Sequence, residues 1–418
     1  MRVIAKSSLL VLAALAPLFV SCEGVERPEE EEVASDNPYN NTDTNFSFNE
    51  GEVAKITNSN EFTFKYFANA SSGIPHESII TCPLGAQFIC GMIGNQISDH
   101  SVLVQTLGIN GDLNDVNSYF NKLINDIAKI GGDTRVIIAN ALMKDVKGPD
   151  FPEEFLGVLK NNYLVDCSEF EAKSLEDQPI EERPENIWVK EKTSGLIDEA
   201  PEPILPEMAS LFNVSCFSGA WLYKFNRSQT KERTFYGSTG TKKVPMMSNL
   251  GSFPFYKEEL FSAVALPFEN TSFLFTILLP NEGKTLESVI KGMRSWTWDK
   301  IRQRLSLKAV SLSVPRCSIY FDDNALSFCD DFTASYLNQM ESMAKEGLTV
   351  HPFTEIRQKA FMEIKESGVS AANTNTSLPP DNIDSGQIET FNANHPFAFI
   401  ISDAGSGLVL FIGKYGEG

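Results

Sequence analysis

The sequence lacks the residue patterns that most enzyme active sites need. Its four histidines lie far apart along the chain, and none of the motifs H-E-x-x-H, G-x-S-x-G and G-x-G-x-x-G occurs. Gly283-Lys284-Thr285 has the residues that end a phosphate-binding loop, but Leu278 occupies the position where that loop requires a glycine. We therefore predict that the protein is not an enzyme.

Cysteine and histidine pairs at the spacing of metal ligands are also missing. There is no C-x-x-C pair among the seven cysteines, so we predict no zinc, no other metal and no cofactor. Apart from Cys22 the cysteines are scattered, mostly within apolar runs, which favours small buried hydrophobic side chains. One or two disulfides remain open in an oxidising compartment. These six are Cys82, Cys90, Cys167, Cys216, Cys317 and Cys329.

Positive charge is scarce, with 35 Lys and Arg against 55 Asp and Glu and a net charge of -20. Because nucleic acids and heparin are bound by clustered Lys and Arg, we predict that the protein binds neither. The 418 residues, 42% of them hydrophobic, are enough for one large domain or for two.

The N-terminus has the pattern of an export signal. Arg2 and Lys6 precede an apolar run, Leu9 to Val20, that is too short to span a bilayer comfortably. The small residue before Cys22 resembles the lipobox of bacterial lipoproteins, although Phe19 replaces the usual aliphatic residue. We predict a signal peptide (1–21), then a lipidated Cys22 that begins an acidic tether (22–44). The alternative is an ordinary cleaved secretory signal.

This anchor predicts where the protein works. A lipid on Cys22 would attach the chain to a membrane and make it an outer-membrane or cell-surface lipoprotein. A periplasmic or secreted protein is the alternative.

Helical periodicity precedes strand-like runs along the chain. Helices are predicted at Glu61 to Ala70, Leu84 to Met92, Leu113 to Ile130 and Pro152 to Tyr163. Strands are predicted at Arg135 to Leu142, Leu211 to Cys216, Ser262 to Pro267, Ser272 to Leu279, Ala309 to Pro315 and Leu408 to Gly413. The mixture, without regular alternation, predicts an α+β fold with large sheets.

Short signatures follow one another in a fixed order between about Asn45 and Lys414. They are Ile138-Ala-Asn-Ala-Leu142, Trp188-Val-Lys-Glu-Lys-Thr-Ser-Gly195, Phe212-Asn-Val-Ser-Cys-Phe-Ser-Gly-Ala-Trp221 with Phe225, Val244-Pro-Met-Met247, Leu266-Pro-Phe268, His395-Pro-Phe397 and Leu410-Phe-Ile-Gly413. Together they resemble the serpin family, with Trp221 as the tryptophan at the top of its main sheet. The resemblance covers the predicted domain, 45–418.

The resemblance implies a fold of three β-sheets and about nine helices, with an exposed reactive loop near the C-terminus at about 369–390. It also implies a monomeric inhibitor that acts as a suicide substrate for a serine or cysteine endopeptidase. The protease cleaves the loop, which inserts into the main sheet as a new strand and keeps the acyl-enzyme trapped. A dozen inserted residues with about two ladder hydrogen bonds each would contribute on the order of 20 kcal/mol before ordering entropy is subtracted.

The hinge of that loop departs from the family pattern E-E-G-[T/S]-x-A-A-A at two positions. Val369 replaces a small hydroxyl residue, and Asn373 replaces an alanine. With period-two alternation Val369, Ala371, Asn373 and Asn375 share one face, and the resemblance implies that this face meets the core, where an unpaired amide costs about 1–3 kcal/mol. We favour an inhibitor, and a non-inhibitory serpin acting as a surface binding protein is the alternative. The predicted hinge is Glu366, Gly368, Val369, Ser370, Ala371, Ala372 and Asn373.

The cleaved bond is predicted between Asn382 and Ile383. The family spacing from Gly368 gives Asn382, and counting back from His395-Pro396 gives a range from Asn382 to Ser385. An asparagine at this position suits an asparagine-specific cysteine protease or a broad-specificity enzyme. A shifted register would offer an aspartate or Ile383 instead, and a disordered loop with no bait role remains the alternative.

The sheet-opening region of the family carries a small polar cluster of Ser, Asn and His. Here Asn213 is kept, whereas Cys82 and Gly85 occupy the serine positions and Gln358 the histidine position. Because a half-satisfied buried cluster is costly, these replacements predict a rebuilt, more apolar region.

Overall fold

The computed structural model describes residues 37–41, 45–46, 48–370 and 388–416. Within them the helices are α1 (Glu50–Gly73), α2 (Pro83–Gly94), α3 (Ser101–Leu107), α4 (Leu113–Lys129), α5 (Glu153–Tyr163), α6 (Pro184–Lys192), α7 (Leu286–Gly292), α8 (Ser295–Arg304) and α9 (Asp330–Lys345). These nine α-helices of the described chain, together with large mixed sheets, make the fold α+β, as predicted.

The described strands fall into two hydrogen-bonded sheets. They are β1 (Ile79–Thr81), β2 (Arg135–Asp145), β3 (Asp166–Phe170), β4 (Ala209–Ala220), β5 (Lys231–Tyr236), β6 (Thr241–Lys257), β7 (Phe261–Pro267), β8 (Phe273–Pro280), β9 (Ser306–Pro315), β10 (Cys317–Asn324), β11 (Arg357–Lys365), β12 (Gly368–Val369), β13 (Glu389–Asn392), β14 (Phe397–Asp403) and β15 (Val409–Tyr415).

The six-stranded sheet has the order β10-β11-β12-β4-β2-β3. The nine-stranded sheet has the order β1-β15-β14-β8-β7-β6-β9-β13, and β5 pairs with β6 beside this path. The resemblance implies three sheets, whereas the hydrogen-bonded strands of the described chain form two. Two of the expected sheets are joined into the nine-stranded sheet, because the 17-residue β6 pairs with β5 and β9 over most of its length and with β7 at its end.

Local capping explains where two of the long helices begin. Asn49 and Glu52 form a capping box at the start of α1, and Asp112 and Asp115 form another at the start of α4. The predicted helix at Glu61 to Ala70 is therefore only the apolar part of α1. Between residues 51 and 60 only Ile56, Ser59 and Asn60 are buried, and two of these are polar, so this part of the helix gives no periodic apolar signal.

Two hydrophobic clusters cover the faces of the six-stranded sheet. The main core lies on the face that carries Ala360, Met362 and Ile364 of β11. A smaller cluster lies on the other face, where Phe212 and Val214 of β4 pack with Val189 of α6. The sheet is thus buried on both sides around β4, so any strand added beside β4 must match two packed layers.

The described cysteines are free thiols, four buried and two partly buried. Among the described helices, none combines the length and the hydropathy that a membrane span requires. The predicted signal peptide, Cys22 and nearly all of the acidic tether fall outside the described residues and remain predictions.

Candidate functional site

A short strand lies between β11 and β4 in the upper part of the six-stranded sheet. β12 (Gly368–Val369) runs antiparallel to β11, with Val369 opposite Ile364, and antiparallel to β4, with Val369 opposite Gly219. The Val369 side chain is fully buried in the main core. The beginning of the predicted loop is therefore hydrogen-bonded on both sides within the sheet.

The turn that leads into β12 is held by Trp221. Its indole nitrogen donates to the carbonyl of Lys365 at 2.9 Å, and its backbone N–H donates to the carbonyl of Ser367 at 3.0 Å. The ring is buried and stacks on Phe268 at a centroid distance of 4.9 Å. Gly368 has a φ of 154°, a backbone conformation that favours glycine. The turn thus fixes the direction in which the loop leaves β11.

Glu366 is a buried carboxylate in the same turn. It is 3% exposed, accepts a hydrogen bond from Thr230 Oγ1 at 2.8 Å and lies 3.5 Å from Arg316 Nη1. A buried charge without such partners would be strongly destabilising. Glu366 therefore connects the hinge to the strand region around β5 and to the segment between β9 and β10.

Ser370 ends the inserted strand. Its φ is 45°, which turns the chain away from the extended conformation. Its backbone N–H donates to Glu363 O at 2.7 Å, and its Oγ accepts from Glu363 N at 3.3 Å. Its carbonyl accepts from Ser218 Oγ at 3.1 Å. The side-chain oxygen thus replaces the backbone acceptor that a continuing strand would offer to β11.

Below β12 the sheet is closed by direct pairing of its two halves. β11 and β4 pair in parallel from Gln358 opposite Asn213 to Phe361 opposite Cys216. We call this four-pair stretch the closed seam. Inserting more of the loop requires the closed seam to open.

A polar cluster of Asn140, Asn213, Ser215 and Gln358 lies at the lower end of the closed seam. Gln358 Nε2 donates to Asn213 Oδ1 at 3.2 Å and to Cys82 O at 2.9 Å, while Gln358 Oε1 accepts from Cys82 N at 3.2 Å. Ser215 Oγ donates to Asn213 Oδ1 at 2.7 Å, and Asn213 Nδ2 donates to Asn140 Oδ1 at 2.9 Å. The four side chains are buried.

This network differs from the more apolar region that the sequence predicts. Gln358 spans the gap to both Asn213 and the backbone of Cys82, the residue before α2, so the cluster stays hydrogen-bonded except at Asn140 Nδ2, which has no partner among the described residues. A Cβ at Gly85 would lie 2.9 Å from Asn213 Oδ1 and 2.9 Å from Gln358 Nε2, which leaves no room for a serine there. Burial raises the pKa of Cys82 to about 12, so its thiol is neutral beside Ser215.

Several residues of this site escape the sequence analysis. Strand geometry can identify two of them. Ser215 shares a face with Asn213 by period two, and Asn140 on β2 is the cross-strand partner of Asn213. The sequence predicts Ser370 only as a hinge position. The pairing of Arg316 with Glu366 joins residues 50 positions apart, and no local pattern signals it.

The remaining predicted site residues lie outside the described chain. These are Cys22, Ala371, Ala372, Asn373, Asn382 and Ile383. Downstream, β13 pairs with β9 and His395 Nε2 lies 3.0 Å from the carbonyl of Pro280. Residues 371–387 therefore connect an end held in the six-stranded sheet to an end held in the nine-stranded sheet. Among the described residues no group of three or more His, Cys, Asp or Glu side chains could hold a metal ion.

Residues 57–417 match the protein family described as Serpin (serine protease inhibitor). An uncharacterised serpin-like protein of Thermococcus kodakarensis is 28% identical over 286 residues, which are 64% of this chain and 63% of that protein. The match thus spans slightly less than two thirds of that relative. Glia-derived nexin of Mus musculus is 26% identical over 357 residues, covering 81% of this chain and 87% of the nexin.

Among solved structures, the thermophilic serpin tengpin in its native state superposes with a TM-score of 0.72 at 20% identity. The superposition covers 92% of this chain and all of tengpin. At this identity the likeness establishes the fold alone. The family is described by protease inhibition and not by an enzymatic activity.

Proposed function

The chain belongs to the serpin family, and we propose that it inhibits a serine or cysteine endopeptidase as a suicide substrate. The protease cleaves the reactive loop at about 369–390, and the upstream part of the loop inserts into the six-stranded sheet before the acyl-enzyme hydrolyses. The target protease, held by its ester or thioester to the loop, is carried along and distorted.

The observation that carries this proposal is the position of β12. Gly368 and Val369 already occupy the space between β11 and β4, in the orientation that a longer inserted strand would have. Insertion would therefore extend an existing strand rather than start one. Starting a strand is the costly step, because its first residues are ordered before a ladder forms.

The register of β12 fixes which residues would meet if the strand grew. Continuing the antiparallel pairing places Ala371 between Met362 and Phe217. The same register places Asn373 between Ala360 and Ser215. It places Asn375 between Gln358 and Asn213. The core-facing positions of the loop would thus descend along the closed seam to the polar cluster.

For the cleaved bond we retain Asn382–Ile383. Residues 371–387 provide enough chain for a strand of about ten residues and an exposed bait segment, since an extended residue spans about 3.3 Å. Pro379 would lie opposite Ala209, the first residue of β4, where a missing N–H costs least. The bait asparagine would then lie just beyond the inserted strand.

We also propose that the protein is exported and carries a lipid on Cys22, at the outer membrane or cell surface. The apolar run Leu9 to Val20 and the following cysteine support this location, with periplasmic or secreted protein as the alternative. The net charge of -20 argues against heparin or nucleic acid as a partner. The partner we expect is an endopeptidase that reaches the same surface.

The test is to mix the purified protein with a panel of serine and cysteine proteases. We expect a covalent adduct that survives denaturing electrophoresis and a released peptide that starts at or near Ile383. Cleavage in the loop without an adduct, and without a rise in thermal stability, would replace inhibition by the non-inhibitory binding function.

Two neighbouring alanines offer a matched pair of variants. Ala371 would face the core in the extended strand, whereas Ala372 would face the opposite side of the sheet. A buried glutamate in Ala371→Glu should block insertion and turn the inhibitor into a substrate. Ala372→Glu should keep more adduct than Ala371→Glu, because Phe361 beside Ala372 is only partly buried, whereas Met362 beside Ala371 is fully buried. Equal adduct from both variants would mean that the loop does not enter the sheet in this register.

A further inference from the structure

Two cysteines that are far apart in the chain meet in the main core. Cys90 lies in α2, and Cys329 immediately precedes α9, 239 residues later. Their Sγ atoms are 3.8 Å apart, and the Cys90 thiol donates a hydrogen bond to the Cys329 sulfur. Cys90 is fully buried, and Cys329 is 6% exposed.

The surroundings of the two sulfur atoms are apolar. The ring of Tyr66 packs edge-on against Phe328 at a centroid distance of 5.4 Å, and the Tyr66 hydroxyl lies near both cysteines. The hydrogen bond with Cys329, together with burial, raises the pKa of the Cys90 thiol well above its usual value. Both features favour neutral, water-excluded sulfur, which is also the environment that protects a disulfide from reduction.

Other described cysteines have different contacts. The Cys82 thiol lies beside Ser215, and Cys167 Sγ lies 3.8 Å from the carbonyl of Val165. The Cys90–Cys329 contact is therefore a thiol facing a thiol rather than a thiol satisfied by an oxygen.

We propose that Cys90 and Cys329 form a disulfide when the chain folds in the presence of a disulfide donor. A disulfide needs sulfur atoms about 2.0 Å apart, so each Sγ has to move by less than about 1 Å. That movement is within the range of side-chain rotation, because each sulfur is the terminal atom of its side chain.

The reaction is thiol–disulfide exchange with a small-molecule or protein disulfide. The thiolate of one cysteine attacks the donor, forms a mixed disulfide and releases one donor thiol. The thiolate of the other cysteine then attacks the mixed disulfide and releases the second donor thiol. The cysteine pair is oxidised by two electrons, the donor is reduced, and two protons leave the protein.

Burial dictates when the exchange occurs. In the folded chain Cys90 has no access to a donor, and Cys329 has little. The bond therefore forms while α2 and the segment before α9 are docking, and a chain that folds in a reducing solution keeps both thiols. An oxidising envelope, where we place this protein, supplies the donor. The proposal does not depend on whether the loop inserts.

The cross-link would stabilise the native state mainly by restricting the unfolded chain. It closes a loop of 239 residues that contains β2, β4 and most of the nine-stranded sheet. For a loop of this length and a domain of this size, the melting temperature should rise by about 5 °C. It would also tie α2 to the segment that follows β10, at the edge of the six-stranded sheet.

The test compares two samples of the full-length protein. Reduced, unfolded protein is refolded with reduced or with oxidised glutathione and then denatured at acidic pH, its free thiols are alkylated in denaturant, and the digest is analysed by mass spectrometry without reduction. We expect the oxidised sample to contain a Cys90–Cys329 peptide pair that lacks two hydrogens, and to melt about 5 °C above the reduced sample at one scan rate. Alkylated Cys90 and Cys329 in the oxidised sample, or each joined separately to glutathione, would overturn the proposal.

Three variants assign the thermal shift. Cys90→Ala and Cys329→Ala should each remove the difference between the two refolding conditions, whereas Cys167→Ala should retain it. A difference that survives in Cys90→Ala, with another cysteine bridged to Cys329, would also refute the pairing. The peptide map of the unmodified chain decides the question even where a variant folds poorly.

Discussion

Asn375 decides how well the polar cluster survives loop insertion. In the register of β12 its backbone would lie between Gln358 and Asn213. Inserting a strand separates those two residues by about a further 4.8 Å, so the 3.2 Å hydrogen bond between their amides has to break. One N–H of the Gln358 amide then lacks an acceptor, while the bonds from Gln358 Nε2 to Cys82 O and from Ser215 Oγ to Asn213 Oδ1 are kept. An asparagine side chain between Gln358 and Asn213 can accept from Gln358 through its Oδ1 and donate to Asn213 through its Nδ2.

We therefore predict that Asn375→Ala destabilises the cleaved, inserted form but not the intact form. One buried N–H left unpaired costs about 1–3 kcal/mol. With an unfolding entropy of about 2.1 cal/mol/K per residue, this corresponds to a melting temperature about 1–4 °C lower for a domain of this size. The intact form should not change, because Gln358 and Asn213 pair directly there and leave no place for a residue between them.

Asn373→Ala is the contrasting variant. Asn373 would lie between Ala360, which has no polar side-chain atom, and Ser215, which keeps its 2.7 Å bond to Asn213 within β4. Removing this amide should leave the cleaved form unchanged or slightly more stable.

The assay is differential scanning of each variant before and after cleavage of the loop by one protease. Equal shifts for the two asparagine variants in the cleaved form would refute the register. A shift of the intact Asn375→Ala protein would show that this residue already contacts the body of the molecule.

Three further predictions test the closed state. Gly85→Ala should destabilise the protein by about 1–3 kcal/mol, because its Cβ would meet the amides of the polar cluster at 2.9 Å. Gly157→Ala in α5 is the control, since its Cβ meets nothing within 4 Å and the change should be neutral or stabilising. Denaturant titrations measure both variants. Ser370→Ala removes the side-chain acceptor of Glu363 N, so stopped-flow assays should record faster insertion and a larger adduct fraction. Backbone N–H donors, of which that of Glu207 is the strongest, hold the pKa of Asp145 below its ordinary value. The ionised Asp145 therefore contributes stability above about pH 4, and this contribution is lost as pH falls further. In Asp145→Asn the melting temperature should depend less on pH between about pH 5 and 3.

Sequence patterns predict the elements of this fold better than the contacts of its site. Each strand predicted from apolar runs overlaps an observed one, since a strand buried on one or both faces has a strong compositional signal. No helix is predicted at α3, α7, α8 or α9; of these, α3 and α7 have seven residues each and offer little periodicity. The polar cluster was misjudged because residue type alone does not reveal that Gln358 can reach both α2 and β4.

The same limit applies to the hinge. Period-two alternation and the family pattern together predict that the Val369 side chain faces the core. In the intact chain this side chain is buried in β12. The stop at Ser370 depends on a positive φ and on the partner Glu363 in β11, neither of which a sequence pattern records.

The balance of hydrogen bonds shows why the core-facing loop residues control the function. Extending β12 in register pairs about ten loop residues with β4 and about seven with β11, while the four pairs of the closed seam are lost. The net gain is roughly a dozen backbone hydrogen bonds, or about 12 kcal/mol, which is less than the figure obtained from loop length alone. Ordering about ten residues costs about 1–2 kcal/mol each and offsets that gain.

Insertion is then driven by the apolar surface and the hydrogen bonds that the inserted side chains bury. Ala371 has to fill the space between Met362 and Phe217 without a cavity or a clash. Asn375 contributes only if it forms hydrogen bonds with the polar cluster. A loop with this backbone but mismatched inward side chains would be cleaved and released, so the inward positions separate an inhibitor from a substrate.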